Sequence, residues 1–94
     1  MDRLEAMSIL VAAVEAGSFT AAGRRLGVPL PTVSRKVAEL EARLNARLLV
    51  RTTRKLTLTD AGAAYLAASK KILEQVAEAE RAAAGEYLKP RGDL

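Results

Sequence analysis

Residues 31–44 combine an apolar stripe with an opposite face of small side chains. At 3.6 residues per turn, the apolar stripe that we expect to be buried consists of Val33, Val37, Leu40 and Leu44. The other face carries Pro31, Ser34, Arg35, Ala38 and Ala42. A solvated helix face ordinarily carries Lys and Glu, whereas small residues let another surface approach closely. The pattern suits a helix that inserts into a DNA major groove. An amphipathic helix whose alanines are merely good helix formers is the alternative.

Positive charge is concentrated in the middle of the chain. The net charge over 94 residues is +4, yet residues 24–55 contain nine basic and two acidic residues. The segments on either side are weakly acidic. Such an uneven distribution indicates a polyanionic partner, and a basic surface that binds nothing is the alternative.

The chain contains no His and no Cys. The usual metal ligands, the thiol nucleophile and the imidazole base are therefore missing, and no paired carboxylates accompany signals for a pocket. We expect no enzyme, no catalytic residue, no metal site and no cofactor. No apolar run reaches a membrane-spanning length and no signal-peptide core is present, so we expect a soluble intracellular protein with no membrane partner.

The first helix is predicted from Asp2, which reads with Glu5 as a capping box, to Gly17, which ends it. We expect its buried positions to be Leu4, Met7, Val11 and Val14, with Leu10 beside them. This segment is interpreted as a core helix and nothing more.

Ser18 is predicted to cap a second, shorter helix that ends at Gly27. The residues expected to share its buried face are Phe19, Ala22 and Leu26. Gly23 within it either fits a tight helix crossing or is simply tolerated. The next helix begins near Pro31, since proline suits a first helical turn. Together these segments predict a helix-turn-helix, although helical bundles that bind nothing can share this connection.

From residue 48 to 58 the apolar period changes from 3.6 to 2, and Val and Thr become frequent. We predict a short two-stranded hairpin, or wing, with its tip at Thr52–Arg54. Its cations, Arg51, Arg54 and Lys55, can reach phosphates or a narrow minor groove. A solvated hairpin is the alternative.

Thr59 is predicted to cap a last helix that runs to about Ala84, with Asp60 in its first turn. One apolar seam consists of Ala61, Tyr65, Ala68, Ile72, Val76, Ala79 and Ala83, and a second row consists of Leu66, Leu73 and Ala77. One row can close the local core while the other meets a second copy, so we predict a homodimer. Its predicted interface residues are Tyr65, Ile72, Leu73, Val76 and Ala79. A free-standing helix with excess apolar surface is the alternative.

Several fragments, in this order and spacing, resemble the N-terminal DNA-binding domain of LysR-type bacterial transcriptional regulators. They are residues 17–22, 25–28, 31–35, 40–41, 48–54 and 56–62. The resemblance implies a mainly α fold, a winged helix-turn-helix with a short two-stranded wing and a long C-terminal linker helix. It divides the chain into a DNA-binding domain at 1–58, a dimerisation helix at 59–86 and a hinge at 87–94. The hinge would lead to an effector-binding domain that this chain lacks.

Carried over position by position, the resemblance implies base-reading roles for Leu30, Pro31, Ser34 and Arg35. It implies phosphate and minor-groove contacts for Thr20, Thr32, Arg51, Thr52 and Arg54. The sequence departs from the family at Pro29 and Leu30, where many members have a Ser or Thr cap followed by Gln. Leu30 cannot make the amide contact that Gln makes to adenine, and apolar contact with a thymine methyl group is the alternative.

The implied function is sequence-specific binding of double-stranded DNA by a homodimer that regulates transcription. Two half-sites separated by whole helical turns would form an interrupted inverted repeat. The resemblance also implies a small-molecule effector bound by the missing domain, allows a tetramer in the full-length protein, and indicates a nucleoid-associated protein of the bacterial cytoplasm. A basic winged-helix module for protein interaction is the alternative, but it would not need the small front of residues 31–44.

Overall fold

The computed structural model describes residues 2–52 and 55–85. The helices are α1 (Arg3–Ala16), α2 (Phe19–Leu26), α3 (Leu30–Leu44) and α4 (Asp60–Ala83), and the strands are β1 (Leu49–Arg51) and β2 (Leu56–Leu58). β1 and β2 pair antiparallel, with Leu49 opposite Leu58 and Arg51 opposite Leu56. The predicted mainly α fold with a two-stranded wing and a long last helix is confirmed.

The three predicted N-caps are present. Asp2 Oδ1 accepts from the Glu5 amide at 3.1 Å, Ser18 Oγ from the Ala21 amide at 3.0 Å, and Thr59 Oγ1 from the Gly62 amide at 2.9 Å. Each oxygen satisfies a backbone donor that the first helical turn leaves without a partner. These helices therefore begin where local side-chain chemistry allows.

Helix ends follow the same local rules. Gly17 and Gly27 adopt the left-handed conformation after α1 and α2, as predicted for glycines at this position. Asn45, with φ 51°, ends α3 in the same way. The chain bends by 119° between α1 and α2. No single helix in the described ranges is long and apolar enough to cross a membrane, and only the bent α1–α2 pair reaches that length and composition jointly.

One hydrophobic core lies between the helices and the base of the wing. Its buried apolar residues are Ala6, Ile9, Leu10, Ala12, Ala13, Phe19, Ala22, Val33, Val37, Leu40, Leu48, Leu49 and Leu66. The predicted burial of Val33, Val37 and Leu40 is confirmed. The predicted burial of Leu44 and Leu26 is wrong, because each is the last residue of its helix and projects past its neighbours, with 38% and 39% of its surface exposed.

The buried face of α1 differs from the predicted one. Leu4 is 41% exposed, and Met7, Val11 and Val14 are only partly buried. The fully buried positions are those of the Ala6, Leu10 and Ala13 row. The two alanines of this row leave room for α2, α3 and α4, which all pack against α1.

Gly23 is required by a close approach of the α2–α3 turn to α2. A Cβ atom at this position would lie 2.7 Å from the carbonyl oxygen of Val28 and 3.6 Å from Cγ2 of Val33. A glycine that is simply tolerated is therefore excluded, and the close contact comes from the turn rather than from α3. The backbone of the α2–α3 turn closes against α2 itself, which fixes how α3 leaves the turn.

The two rows of α4 have different environments. Gly62, Leu66 and Ser69 are buried against the domain, with Leu73 and Ala77 half-buried on the same side. The seam is more open: Ala61, Ala68, Ile72, Ala79 and Ala83 are exposed, and Tyr65 and Val76 are half-buried. The row that begins at Leu66 therefore closes the local core, and the seam has no cover within the described part of the chain.

Candidate DNA interface

The front of α3 is open. Leu30, Pro31 and Arg35 are exposed, and Thr32 and Ser34 are half-buried at the edge of the packed side. Pro29 precedes the helix with φ −65° and ψ 150° and supplies no side-chain cap. Its carbonyl instead accepts from the amides of Thr32 and Val33, at 3.0 and 3.2 Å. The first turn of α3 is thus closed by backbone alone, and its side chains are available to a ligand.

The wing stands beside this front, with Arg51 at the end of β1. Its guanidinium carbon lies 4.6 Å from the centroid of the Phe19 ring, a cation–π contact that holds the side chain on the N-terminus of α2. A cleft of about 440 Å³ separates the wing from α3. Its lining includes Ser34 and Ala38 on one wall and Arg47 and Arg51 on the other. The front of α3 and the wing cations thus face one open space.

A second cleft, of about 250 Å³, lies between the N-termini of α2 and α3 and the wing. Four of the predicted DNA-binding residues line it together: Thr20, Leu30, Arg51 and Thr52. Lys55 lines it as well, although the resemblance to the family assigned no DNA contact to this residue. With Ser18, three hydroxyl groups and two cations are therefore gathered around a concave surface whose size and chemistry suit a phosphate backbone.

The turn of the wing is closed by its own residues. The Thr52 amide donates to the Lys55 carbonyl at 2.8 Å, and the Lys55 amide donates to Thr52 Oγ1 at 3.0 Å. Of the predicted tip, Thr53 and Arg54 lie outside the described residues, so the role of Arg54 stays a prediction.

Glu41 joins α3 to the wing, a contact that the sequence analysis missed. Its Oε2 accepts from the amides of Leu48 and Leu49, at 2.8 and 3.1 Å. Residue 41 did belong to one of the fragments that resemble the LysR-type domain. No periodicity, however, links a helical carboxylate to amides seven and eight residues later.

Ion pairs occupy only part of the basic stretch. Lys36 pairs with Glu5 at 2.8 Å, and Arg25 pairs with Glu15 at 3.4 Å, so both cations tie neighbouring helices to α1. Within the described residues, Arg35, Arg51 and Lys55 have no acidic partner. These three cations, which face the clefts and the front of α3, are therefore not neutralised by a carboxylate of the described part of the chain.

The model of one protein family matches residues 4–63, which is more than half of the chain: bacterial regulatory helix-turn-helix proteins of the lysR family. The chain belongs to the LysR family. The match includes the whole helix-turn-helix, the wing and the first turn of α4, and it confirms the resemblance noted in the sequence.

Curated relatives of this LysR-family chain are transcriptional regulators. An HTH-type regulator of Xanthomonas campestris pv. campestris (strain 8004) is 54% identical over 86 residues, which are 92% of this chain and 25% of that protein. An HTH-type repressor of Pseudomonas aeruginosa (strain UCBPP-PA14) is 46% identical over 94 residues, which are 100% of this chain and 30% of that protein. The chain thus spans between a quarter and a third of the length of these relatives.

Solved structures similar to the LysR-family chain include DNA complexes. The DNA-binding domain of CbnR in complex with DNA matches with a TM-score of 0.78 and 38% identity, over 89% of this chain and 99% of that chain. The BenM DNA-binding domain with catB site 1 DNA matches with a TM-score of 0.81 and 31% identity, over 90% of this chain and 96% of that chain. In both crystal structures, a domain with this fold is in complex with DNA.

The predicted dimer residues of the LysR-family chain occupy two sides of α4. Tyr65, Ile72, Val76 and Ala79 lie on the open seam, with Ile72 37% exposed. Leu73 is half-buried on the side of Leu66 and therefore belongs to the row that closes the domain core. The composition of the seam, apolar and rich in alanine, suits close packing with another helix.

Proposed function

We propose that this chain is the DNA-binding and dimerisation region of a LysR-type transcriptional regulator. In this proposal residues 1–58 bind DNA, residues 59–86 pair two copies and residues 87–94 lead to an effector-binding domain. The chain spans 29% of a full-length CbnR structure but 99% of the isolated CbnR DNA-binding domain, which supports such a division. A small-molecule effector would act through that further domain.

The observation that carries the proposal is the shared orientation of α3 and the wing. The exposed front of α3 is built from small side chains and Arg35, and it opens on the same cleft as Arg51. A major groove admits a helix only if the helix is slim on the side that enters. A cationic hairpin beside the helix then contacts the phosphate backbone that borders the groove.

Each side chain has a role that follows from its position. Arg35 and Ser34 would contact base edges, and Leu30 at the start of α3 would contact a thymine methyl group. Thr20, Thr52 and Arg51 around the smaller cleft would bind phosphate oxygens, together with Lys55. Thr32, half-buried in the first turn, would donate its hydroxyl to a phosphate at the edge of the groove.

We infer that the functional unit is a symmetric dimer. Two copies joined through the α4 seam would present two α3 helices, and the operator would be an interrupted inverted repeat. Any tetramer of a full-length protein would be built from such dimers. The place of action of a transcriptional regulator of this kind is the bacterial cytoplasm, at the nucleoid, and we assign it no catalytic step.

Binding measured against salt concentration tests this proposal. The chain is titrated onto a random duplex and onto duplexes selected from a library for tight binding. We expect a steep fall in affinity with salt, because phosphate contacts release counterions, and an enriched interrupted dyad. Steep salt dependence without an enriched sequence would reduce the protein to a basic module of low selectivity. No binding at low salt would refute DNA binding and favour a protein partner.

A further inference from the structure

Glu41 lies on the flank of α3, between its buried side and its open front. Of its two carboxylate oxygens, Oε2 accepts from the Leu48 amide at 2.8 Å and from the Leu49 amide at 3.1 Å. Leu49 is the first residue of β1. A single oxygen atom thus fixes the C-terminal half of α3 to the point where the wing begins.

The segment that connects α3 to β1 depends on this side chain. Leu48 and Leu49 are 1% and 4% exposed, and the two bonds from their amides to the carboxylate are partly buried. A buried amide without an acceptor is costly, and a bond to a charged acceptor is stronger than a neutral one. Arg47 adds a weaker tie through its Nε, which donates to the Leu49 carbonyl at 3.3 Å. Without Glu41 the base of the wing would lose the side-chain hydrogen bonds that join it to α3.

The position of this charge is unfavourable for DNA binding taken alone. Glu41 lines the same cleft as Ser34 and Arg51, two residues that the proposed function places against the DNA. A carboxylate there repels phosphates and offsets part of the attraction of the arginine. Its presence is explained if the bonds to Leu48 and Leu49 contribute more to binding than the charge removes.

We propose that Glu41 is a positioning residue that sets the wing against the recognition helix, so that Arg51 and the front of α3 reach one DNA duplex together. The inference rests on the proposed function, since it assumes that both elements contact DNA. It assigns Glu41 no contact with DNA of its own. The residue acts on binding only through the geometry of the wing.

The first test uses the protein without DNA. Amide hydrogen exchange at Leu48 and Leu49 is measured by NMR in Glu41→Ala and in the matched control Glu39→Ala, which removes an exposed carboxylate from the same helix. We expect exchange at the two amides to accelerate about tenfold or more in Glu41→Ala and to stay unchanged in the control. Equal exchange in both variants would overturn the inference, whatever the protein does with DNA.

The second test is a pair of double-mutant cycles on DNA affinity. Relative to Glu39→Ala, we expect Glu41→Ala to weaken binding about tenfold. Arg51→Ala should then lower the DNA affinity of Glu41→Ala by less than about twofold. Arg35→Ala should lower it by the same factor as in the unaltered chain. Additive effects for Arg51 would show that Glu41 does not act through the wing.

A conservative variant completes the design. Glu41→Gln keeps an oxygen acceptor of the same reach, so it should restore part of the affinity and part of the amide protection that Glu41→Ala loses. It also carries the test if Glu41→Ala fails to fold. Loss in Glu41→Gln as complete as in Glu41→Ala would contradict a positioning role. No binding by the unaltered chain would overturn the proposed function and this inference together.

Discussion

The guanidinium carbon of Arg51 lies 4.6 Å from the centroid of the Phe19 ring, so a buried aromatic residue of α2 supports a cation of the wing. Phe19→Leu should remove the cation–π contact and weaken DNA binding about two- to fivefold, the equivalent of about 0.5–1 kcal/mol. Ring-current shifts of the Arg51 side-chain protons in NMR spectra check the contact directly. Those protons should resonate upfield in the unaltered chain and return to ordinary positions in Phe19→Leu. Unshifted protons before the substitution would exclude the contact.

Arg35 projects from the open front of α3 and has no acidic partner within the described residues. Arg35→Ala should cost about 1–3 kcal/mol in binding to the selected site and relax specificity at one base pair. Affinities for the selected duplex and for random duplex are compared. Equal weakening on both would mean that Arg35 contacts only phosphate.

Gly62 in the first turn of α4 faces the backbone of Leu48. A Cβ atom there would overlap the Leu48 carbonyl oxygen and lie 2.8 Å from its carbon. Helix propensity alone favours Ala over Gly by about 1 kcal/mol, so Gly62→Ala would stabilise an open position. The overlap instead predicts destabilisation by about 1–3 kcal/mol, because backbone must move. Thermal unfolding gives the sign, and a higher Tm would show that the contact is loose.

Ser69 is fully buried in α4, and its hydroxyl has no hydrogen-bond partner among the described residues. Ser69→Ala should therefore stabilise the domain by about 1 kcal/mol, since it removes an unpaired polar group and raises helix propensity. This corresponds to a rise in Tm of about 4–8 °C for a domain of this size. A lower Tm would indicate that the hydroxyl makes a bond in the assembled protein.

Ile72 lies on the open seam of α4 and is 37% exposed in the single chain. Ile72→Glu should raise the dimer dissociation constant by more than about tenfold, because the interface would bury an unpaired charge. Ala67→Glu is the control, since it adds the same charge at an exposed position off the seam. Sedimentation measures the dissociation constant, and circular dichroism checks that helix content is unchanged. Equal dissociation constants for Ile72→Glu and Ala67→Glu would show that the dimer interface does not include this seam.

Sequence reasoning was most successful where the deciding chemistry is local. Asp2, Ser18 and Thr59 cap helices, and Gly17 and Gly27 end them, because each acts on backbone groups a few residues away. The change of period that predicted the wing is likewise local. The gathering of Thr20, Leu30, Arg51 and Thr52 at one cleft was expected only through the resemblance, since those residues come from three separate elements.

Sequence reasoning failed where the answer depends on what packs nearby. α1 is apolar around most of its circumference, so periodicity could not choose between the Leu4 row and the Ala6 row. Leu26 and Leu44 continue apolar stripes beyond the elements that would cover them. The bonds of Glu41 and the support of Arg51 by Phe19 join residues distant in sequence, and no pattern of spacing indicates either contact.

The junction at Thr59 fixes the direction in which α4 leaves the domain. The Thr59 amide donates to the Leu48 carbonyl at 3.0 Å, and Gly62 leaves no space against the same residue. A helix of 24 residues reaches about 36 Å, so a tilt of about 5° at its first turn moves the far end by about 3 Å. The direction of the whole helix therefore depends on the close contact at its first turn. Conversely, a displacement of the far end of α4 acts on Leu48 at the base of the wing.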